Sequence, residues 1–174
     1  FKGYYKNKLS DNGININLTR IKAFVNWCCE VKEILEKKPL IRFIKVPSKI
    51  PSYLTQSNIM QLQTLQWLQR HYMEAFSMYL ETGMRLREPF KGRIDNDWFI
   101  IGSEDSKTGY GREVYLEDEH MKILLEMQSR MYESTSSFRT FTNRYSKVFK
   151  KAMMEIGREN LHFHNLRDTF AVMR

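Results

Sequence analysis

Three prolines, Pro39, Pro47 and Pro51, fall within residues 37–51, together with five basic side chains, Lys37, Lys38, Arg42, Lys45 and Lys49. Each proline lacks a backbone donor and biases its predecessor toward extended geometry, so no helix or central strand runs through this stretch. The chain is therefore expected to fold as two bodies joined by a basic, semi-extended connection of the kind that lies along a phosphate backbone. The boundaries read from the sequence are residues 1–45 for the first body, 46–51 for the linker and 52–174 for the second.

Charge divides at the same point. Residues 1–50 hold 11 Lys and Arg against 4 acids, whereas 51–174 hold 17 against 16, so nearly all of the net charge of +8 sits in the first part. A basic arm of this kind neutralises phosphates and releases counterions, although charge alone fits a merely soluble basic surface equally well. Within it, Arg20 and Lys22 on a helical pattern, and Lys45 and Lys49 in the proline-bearing stretch, are candidate DNA contacts. Hydrophobic residues make up 42% of the chain, enough to bury a core. No run of about 18 apolar residues that could cross a bilayer occurs, and no partner membrane is expected. The chain begins with Phe1 instead of Met, so the natural polypeptide is expected to extend further. The only cysteines, Cys28 and Cys29, cannot supply the four ligands of a structural zinc, and helical neighbours rarely bridge. They are expected to be reduced core thiols of a cytosolic protein.

Hydrophobic spacing gives the elements. Asn17 is the expected N-cap of a helix over 18–36, with Leu18, Ile21, Val25 and Cys28 on its apolar stripe. Thr55 caps a helix over 56–69, and another passes through Tyr72, Phe76 and Tyr79 to Thr82, where Gly83 supplies a left-handed stop. Residues 98–101 and 114–116 are short β-type runs joined through the glycine-bearing stretch 106–111 into a hairpin. Helical spacing returns at Met121, Leu124, Leu125 and Gln128, and again from Phe141 to Met153 before Gly157. A last helix opens near His164. The predicted class is mainly α with a small antiparallel β-sheet.

Three local patterns carry chemistry. The first is Thr82-Gly83-Met84-Arg85-Leu86-Arg87-Glu88, a helix stop followed by a charged turn. The second is the hairpin itself, with Lys107 near its tip and Arg112 starting the return strand. The third is His164-Asn165-Leu166-Arg167-Asp168-Thr169-Phe170. On a helix, positions 164, 167 and 171 share one side, while Leu166, Phe170 and Met173 are expected to pack on the other. Taken singly, each pattern is also found as an ordinary solvated surface.

Together, in this order and on these elements, they resemble the tyrosine recombinase, or phage integrase, family. That family's catalytic domain is recognised by the Arg of Thr-Gly-x-Arg-x-x-Glu, here Arg85 with Glu88, by a hairpin Lys, here Lys107, and by His-x-x-Arg, here His164 and Arg167. The resemblance covers the whole chain: residues 1–45 look like the last part of a helical core-binding domain, and 52–174 like most of a catalytic domain. Three features depart from the pattern. Asp168 stands where relatives often have a second His, Arg87 where a small residue is frequent, and residues 89–97 form a short segment without Trp-x-Asp.

The resemblance implies metal-independent breaking and rejoining of double-stranded DNA through a phosphotyrosine, without a cofactor, in site-specific recombination or integration of a phage or mobile element. It further implies several protomers in a DNA-assembled synaptic complex, accessory DNA-bending proteins, and work at the nucleoid in bacterial cytoplasm. The residue types suit that chemistry. Two guanidiniums can hold the non-bridging oxygens of a phosphodiester as charge builds, which makes Arg85 and Arg167 the candidate electrostatic clamp. Lys107 is the candidate general acid for the leaving 5′ oxygen, and His164 is the candidate to manage the proton of the attacking hydroxyl or of the transition-state phosphate. Glu88 orients its neighbours, and Arg87 and Arg112 are candidate DNA contacts.

The family's nucleophilic tyrosine lies downstream of His-x-x-Arg, and the sequence ends 7 residues after Arg167. The fragment is therefore expected to bind DNA without forming the covalent complex. Tyr145 belongs to an apolar stripe, and Tyr110 and Tyr115 suit packing or DNA contacts. Three other readings stay open. Asp95, Asp97, Glu104 and Asp105 could ligate two metal ions in a nuclease, while His162 and His164 lack an evident third ligand. The chain could be a non-enzymatic DNA-binding or architectural relative, or a type IB-like topoisomerase.

Overall fold

A computed structural model of the chain describes residues 2–5, 8–47, 50–106 and 109–173. It divides into two compact units, Phe1–Ile50 and Pro51–Arg174. Among the described residues no helix is long and apolar enough to cross a membrane.

The first unit holds a short helix α1 (Lys2–Tyr5) and a long helix α2 (Asp11–Glu30). The N-cap of α2 is Ser10, whose hydroxyl accepts from Gly13 N–H at 3.2 Å. Asn17, the expected cap, lies inside the helix and donates its amide to the Gly13 carbonyl. The helix also ends earlier than its apolar stripe suggests. Glu33 takes a left-handed backbone (φ 52°), and the Ile34 N–H returns to the Cys28 carbonyl at 2.9 Å. Cys28 is buried but Cys29 is only half-buried, because adjacent helical residues point about 100° apart and cannot both face one core. Beyond α2 the stretch 37–47 has no helix or strand. It is held by Asn15, whose side-chain oxygen accepts from Ile44 N–H and whose amide donates to the Ile44 carbonyl, both at 2.8 Å.

The second unit begins with α3 (Gln56–Gln63), capped reciprocally by Thr55 and Asn58. This helix stops six residues before the predicted end at Gln69, where Thr64 turns its hydroxyl onto the Gln61 carbonyl at 2.8 Å. Helix α4 (Arg70–Thr82) follows and forms the centre of the unit, with Ala75, Phe76, Met78, Tyr79 and Thr82 buried. A three-stranded antiparallel sheet comes next: β1 (Arg93–Asp95), β2 (Trp98–Ile101) and β3 (Arg112–Tyr115), in that order. Strand β1 has no apolar run to announce it. It forms because Asn96 adopts a left-handed turn conformation (φ 51°) that pairs Asp95 with Trp98.

Helices α5 (Asp118–Tyr132), α6 (Phe138–Glu155) and α7 (Asn165–Met173) complete the unit. Aromatic edges fill the space between α4, α6 and the approach to α7. Phe76 meets Phe149 at 5.2 Å and 86°, and Tyr79 meets Phe163 at 4.8 Å and 81°. Edge-to-face pairs of this sort contribute beyond their buried area, about 0.5–1.5 kcal/mol each. The architecture is mainly helical with a small antiparallel sheet, as the sequence predicts at that level.

Candidate functional site

Helix α4 ends because Gly83 takes a left-handed backbone (φ 60°), its N–H returning to the Tyr79 carbonyl at 3.0 Å. The turn that follows is fixed from two sides. The buried Tyr79 hydroxyl donates to the Leu86 carbonyl at 2.8 Å, and the Glu88 carboxylate accepts from the Arg85 backbone N–H at 2.6 Å. Arg85 then folds over the same carboxylate, Nη1 to Oε1 at 2.7 Å. Glu88 itself opens a single 3-10 turn with Pro89, and its side chain is 5% exposed.

Arg112 reaches this carboxylate from the sheet. It pairs with Ile101 and Val114 pairs with Phe99, and directly paired residues share a face of the pleat. Phe99 and Ile101 are fully buried, so Arg112 is carried on the core side of β3 and its Nη2 donates to Glu88 Oε2. Its Nε is buried and has no hydrogen-bond partner among the described residues.

Arg167 arrives from α7, whose first turn is tied down by two side chains that the sequence reading did not single out. Asn165 accepts from His162 N–H at 2.7 Å and donates to the Ser52 carbonyl at 2.7 Å. Thr169, fully buried, accepts from Leu54 N–H at 2.8 Å and donates to the Asn165 carbonyl. With the helix so anchored, Arg167 Nη1 donates to the Gly83 carbonyl at 2.6 Å, a cation at the C-terminal end of α4. Of the predicted packing side of α7, Leu166 is buried and Phe170 lies against Gly83, but Met173 is 54% exposed. It sits one turn further on, lining an open groove with Leu80 and Tyr115.

Arg85 and Arg112 therefore share the Glu88 carboxylate, and Arg167 is bonded to the backbone two residues before Arg85. Burial, followed by the positive fields of Arg112 and Arg85, pulls Arg167 below its ordinary value, with Glu88 and Asp168 opposing. A guanidinium so perturbed still remains charged at neutral pH. For Glu88, burial pushes the carboxyl up. The Arg85 backbone and side-chain hydrogen bonds and the Arg112 guanidinium outweigh it and hold the carboxyl below the usual 4.5.

A depressed carboxyl stabilises the fold fully above its unfolded value, and that contribution disappears as pH falls through the folded one. Comparing thermal melts of the wild type with Glu88→Gln is expected to show a wild-type advantage that is constant above about pH 5 and shrinks below about pH 4. An advantage that persists unchanged into strong acid contradicts the ionised bridge.

The other predicted residues fall differently. His164 is one turn before Arg167, 71% exposed, with Nε2 at 3.9 Å from Asp168 Oδ1, and it makes no hydrogen bond to the arginine cluster among the described residues. Arg87 is exposed, as are Arg20, Lys22 and Lys45. Lys107 and Lys49 lie outside the described residues. Tyr110 and Tyr115 are exposed, the latter edge-on to Trp98 at 5.5 Å. Tyr145 is buried, and burial together with Tyr72 pushes its hydroxyl up to about 12. Among the acids, Asp105 is bound to Lys91 at 2.6 Å, and no group of three or more His, Cys, Asp or Glu among the described residues could hold a metal ion.

No protein-family model and no curated protein matches the chain. Among solved structures, it is similar to the crystal structure of XerA recombinase, at 18% identity over 98% of this chain and 72% of that one, with a TM-score of 0.49. At that overlap the likeness carries no residue's role from one protein to the other.

Proposed function

We propose that this chain is part of a site-specific DNA recombinase or integrase of the tyrosine type, acting for a phage or mobile element in bacterial cytoplasm. The observation that supports it is the docking of Arg167 onto the Gly83 carbonyl, which brings the arginine of His-x-x-Arg into the field of Arg85 and its partner Glu88. Two sequence motifs separated by most of the catalytic body meet at one strongly positive spot.

In this reading the scissile phosphodiester lies against Arg85 and Arg167. A tyrosine Oη attacks phosphorus, the bond to the 5′ oxygen breaks, the tyrosine proton passes to His164, and the 5′ oxygen takes a proton from Lys107. Rejoining runs the same steps in reverse, and the phosphotyrosine conserves the bond energy between them. The guanidiniums supply charge stabilisation that other enzymes take from metal ions. The nucleophile is not assigned to a tyrosine of this chain: burial holds Tyr79 and Tyr145 protonated, and Tyr110 and Tyr115 belong to the hairpin region. Arg20, Lys22, Lys45, Lys49 and Arg87 contribute contacts to double-stranded DNA, and further protomers and DNA-bending proteins complete the assembly.

The test is a nicked suicide duplex carrying the element's junction sequence, incubated with the complete natural polypeptide in excess chelator. A protein–DNA adduct at undiminished yield is expected. Duplex binding with no adduct makes the protein an architectural relative instead, and supercoil relaxation without paired sites makes it a topoisomerase.

A further inference from the structure

Glu88 is one carboxylate divided between two arginines. Its Oε1 takes Arg85 Nη1, and its Oε2 takes both the Arg85 backbone N–H and Arg112 Nη2. Among the described residues it is the only carboxylate hydrogen-bonded to these guanidiniums or to Arg167. Like charges crowded in this way repel unless an anion lies among them.

Arg112 also differs from an ordinary basic residue of a solvated hairpin. Its side chain is only 28% exposed, on the core side of β3 opposite the fully buried Ile101. Buried donors in folded proteins nearly always have an acceptor, yet Arg112 Nε has none among the described residues. Its field acts on Arg167 ahead of that of Arg85.

We propose that Arg112 is a third phosphate-binding guanidinium of the site, held beside Arg85 by the shared Glu88 carboxylate and contacting the same phosphodiester as Arg85 and Arg167. This deepens the strand-exchange reading and rests on it. Glu88 is then a positioning residue that sets the spacing of two phosphate ligands, and Arg112 acts at the reacting phosphate instead of on flanking DNA.

The test is a titration of this chain with inorganic phosphate, followed through the side-chain Nε–Hε NMR signals of arginine. The Arg85, Arg112 and Arg167 signals are expected to move together along one saturating curve. Arg112→Lys keeps the charge but loses the forked donors, and it is expected to weaken phosphate binding about tenfold. Movement of Arg85 and Arg167 with a stationary Arg112, or wild-type phosphate affinity in Arg112→Lys, reduces Arg112 to a structural partner of Glu88 and leaves the strand-exchange reading intact. No movement at any of the three removes the phosphate site, and with it both readings. If Arg112→Lys does not fold, the wild-type titration decides alone.

Discussion

Arg85→Ala and Arg167→Ala, each made in the complete polypeptide, are expected to slow adduct formation by about 10²–10³-fold, the loss typical of removing one preorganised donor from a developing oxyanion. The two guanidiniums reach the site by unrelated routes, one on the turn after α4 and one on α7, so neither can substitute for the other. Lysine is expected to restore little at either position, because an ammonium cannot reproduce a planar two-point contact with phosphate. Arg167→Ala also leaves the Gly83 carbonyl without its donor, so melting temperatures should be recorded beside the rates. Adduct formation within twofold of wild type in either variant is incompatible with the proposed clamp.

Gly83→Ala is expected to destabilise the protein by about 2–4 kcal/mol, combining a left-handed backbone that side chains resist with an overpacked contact. An added Cβ would stand 2.3 Å from Phe170 Cδ1, so the ring that packs on Gly83 would have to be displaced. Since Arg167 rides on that helix and donates to the Gly83 carbonyl, the same substitution should also lower adduct formation at temperatures where the variant is still folded. Circular dichroism melts and single-turnover rates measured together check both parts. A melting temperature within about 2 °C of wild type removes the steric argument.

Much of the second unit is readable from local chemistry. Thr55 caps as its type predicts, Gly83 stops α4, and the alternation at Phe99 and Ile101 gives a strand with one buried face. What local chemistry misses are decisions made by distant partners. Asn15 looks like a weak helix residue but is spent on Ile44, 29 positions away, and with Asn12, Gly13 and Asn17 it disguises the first turns of α2. The end of that helix depends on Glu33 in a conformation usually left to glycine, so no residue type marks it.

The site divides in the same way. Arg85, Glu88 and Arg167 are visible as motif positions, whereas the bond between Arg112 and Glu88 depends on hairpin register. A usable signal did exist: Arg112 stands two residues before Val114, on the inward side of the strand, where a charged group needs a partner. Asn165 and Thr169 were hidden for the opposite reason, since their partners, Ser52 and Leu54, belong to a segment without regular structure.

The bond from Arg167 to Gly83 spans 84 residues of chain. At the usual pace of synthesis, on the order of 5–20 residues per second, the turn bearing Arg85 leaves the ribosome roughly 4 to 17 seconds before its partner arrives. A nascent chain can thus carry its basic N-terminal arm while the cluster beside Glu88 is still incomplete. On the proposed reading, the phosphate-binding cluster is completed only once α7 has been made.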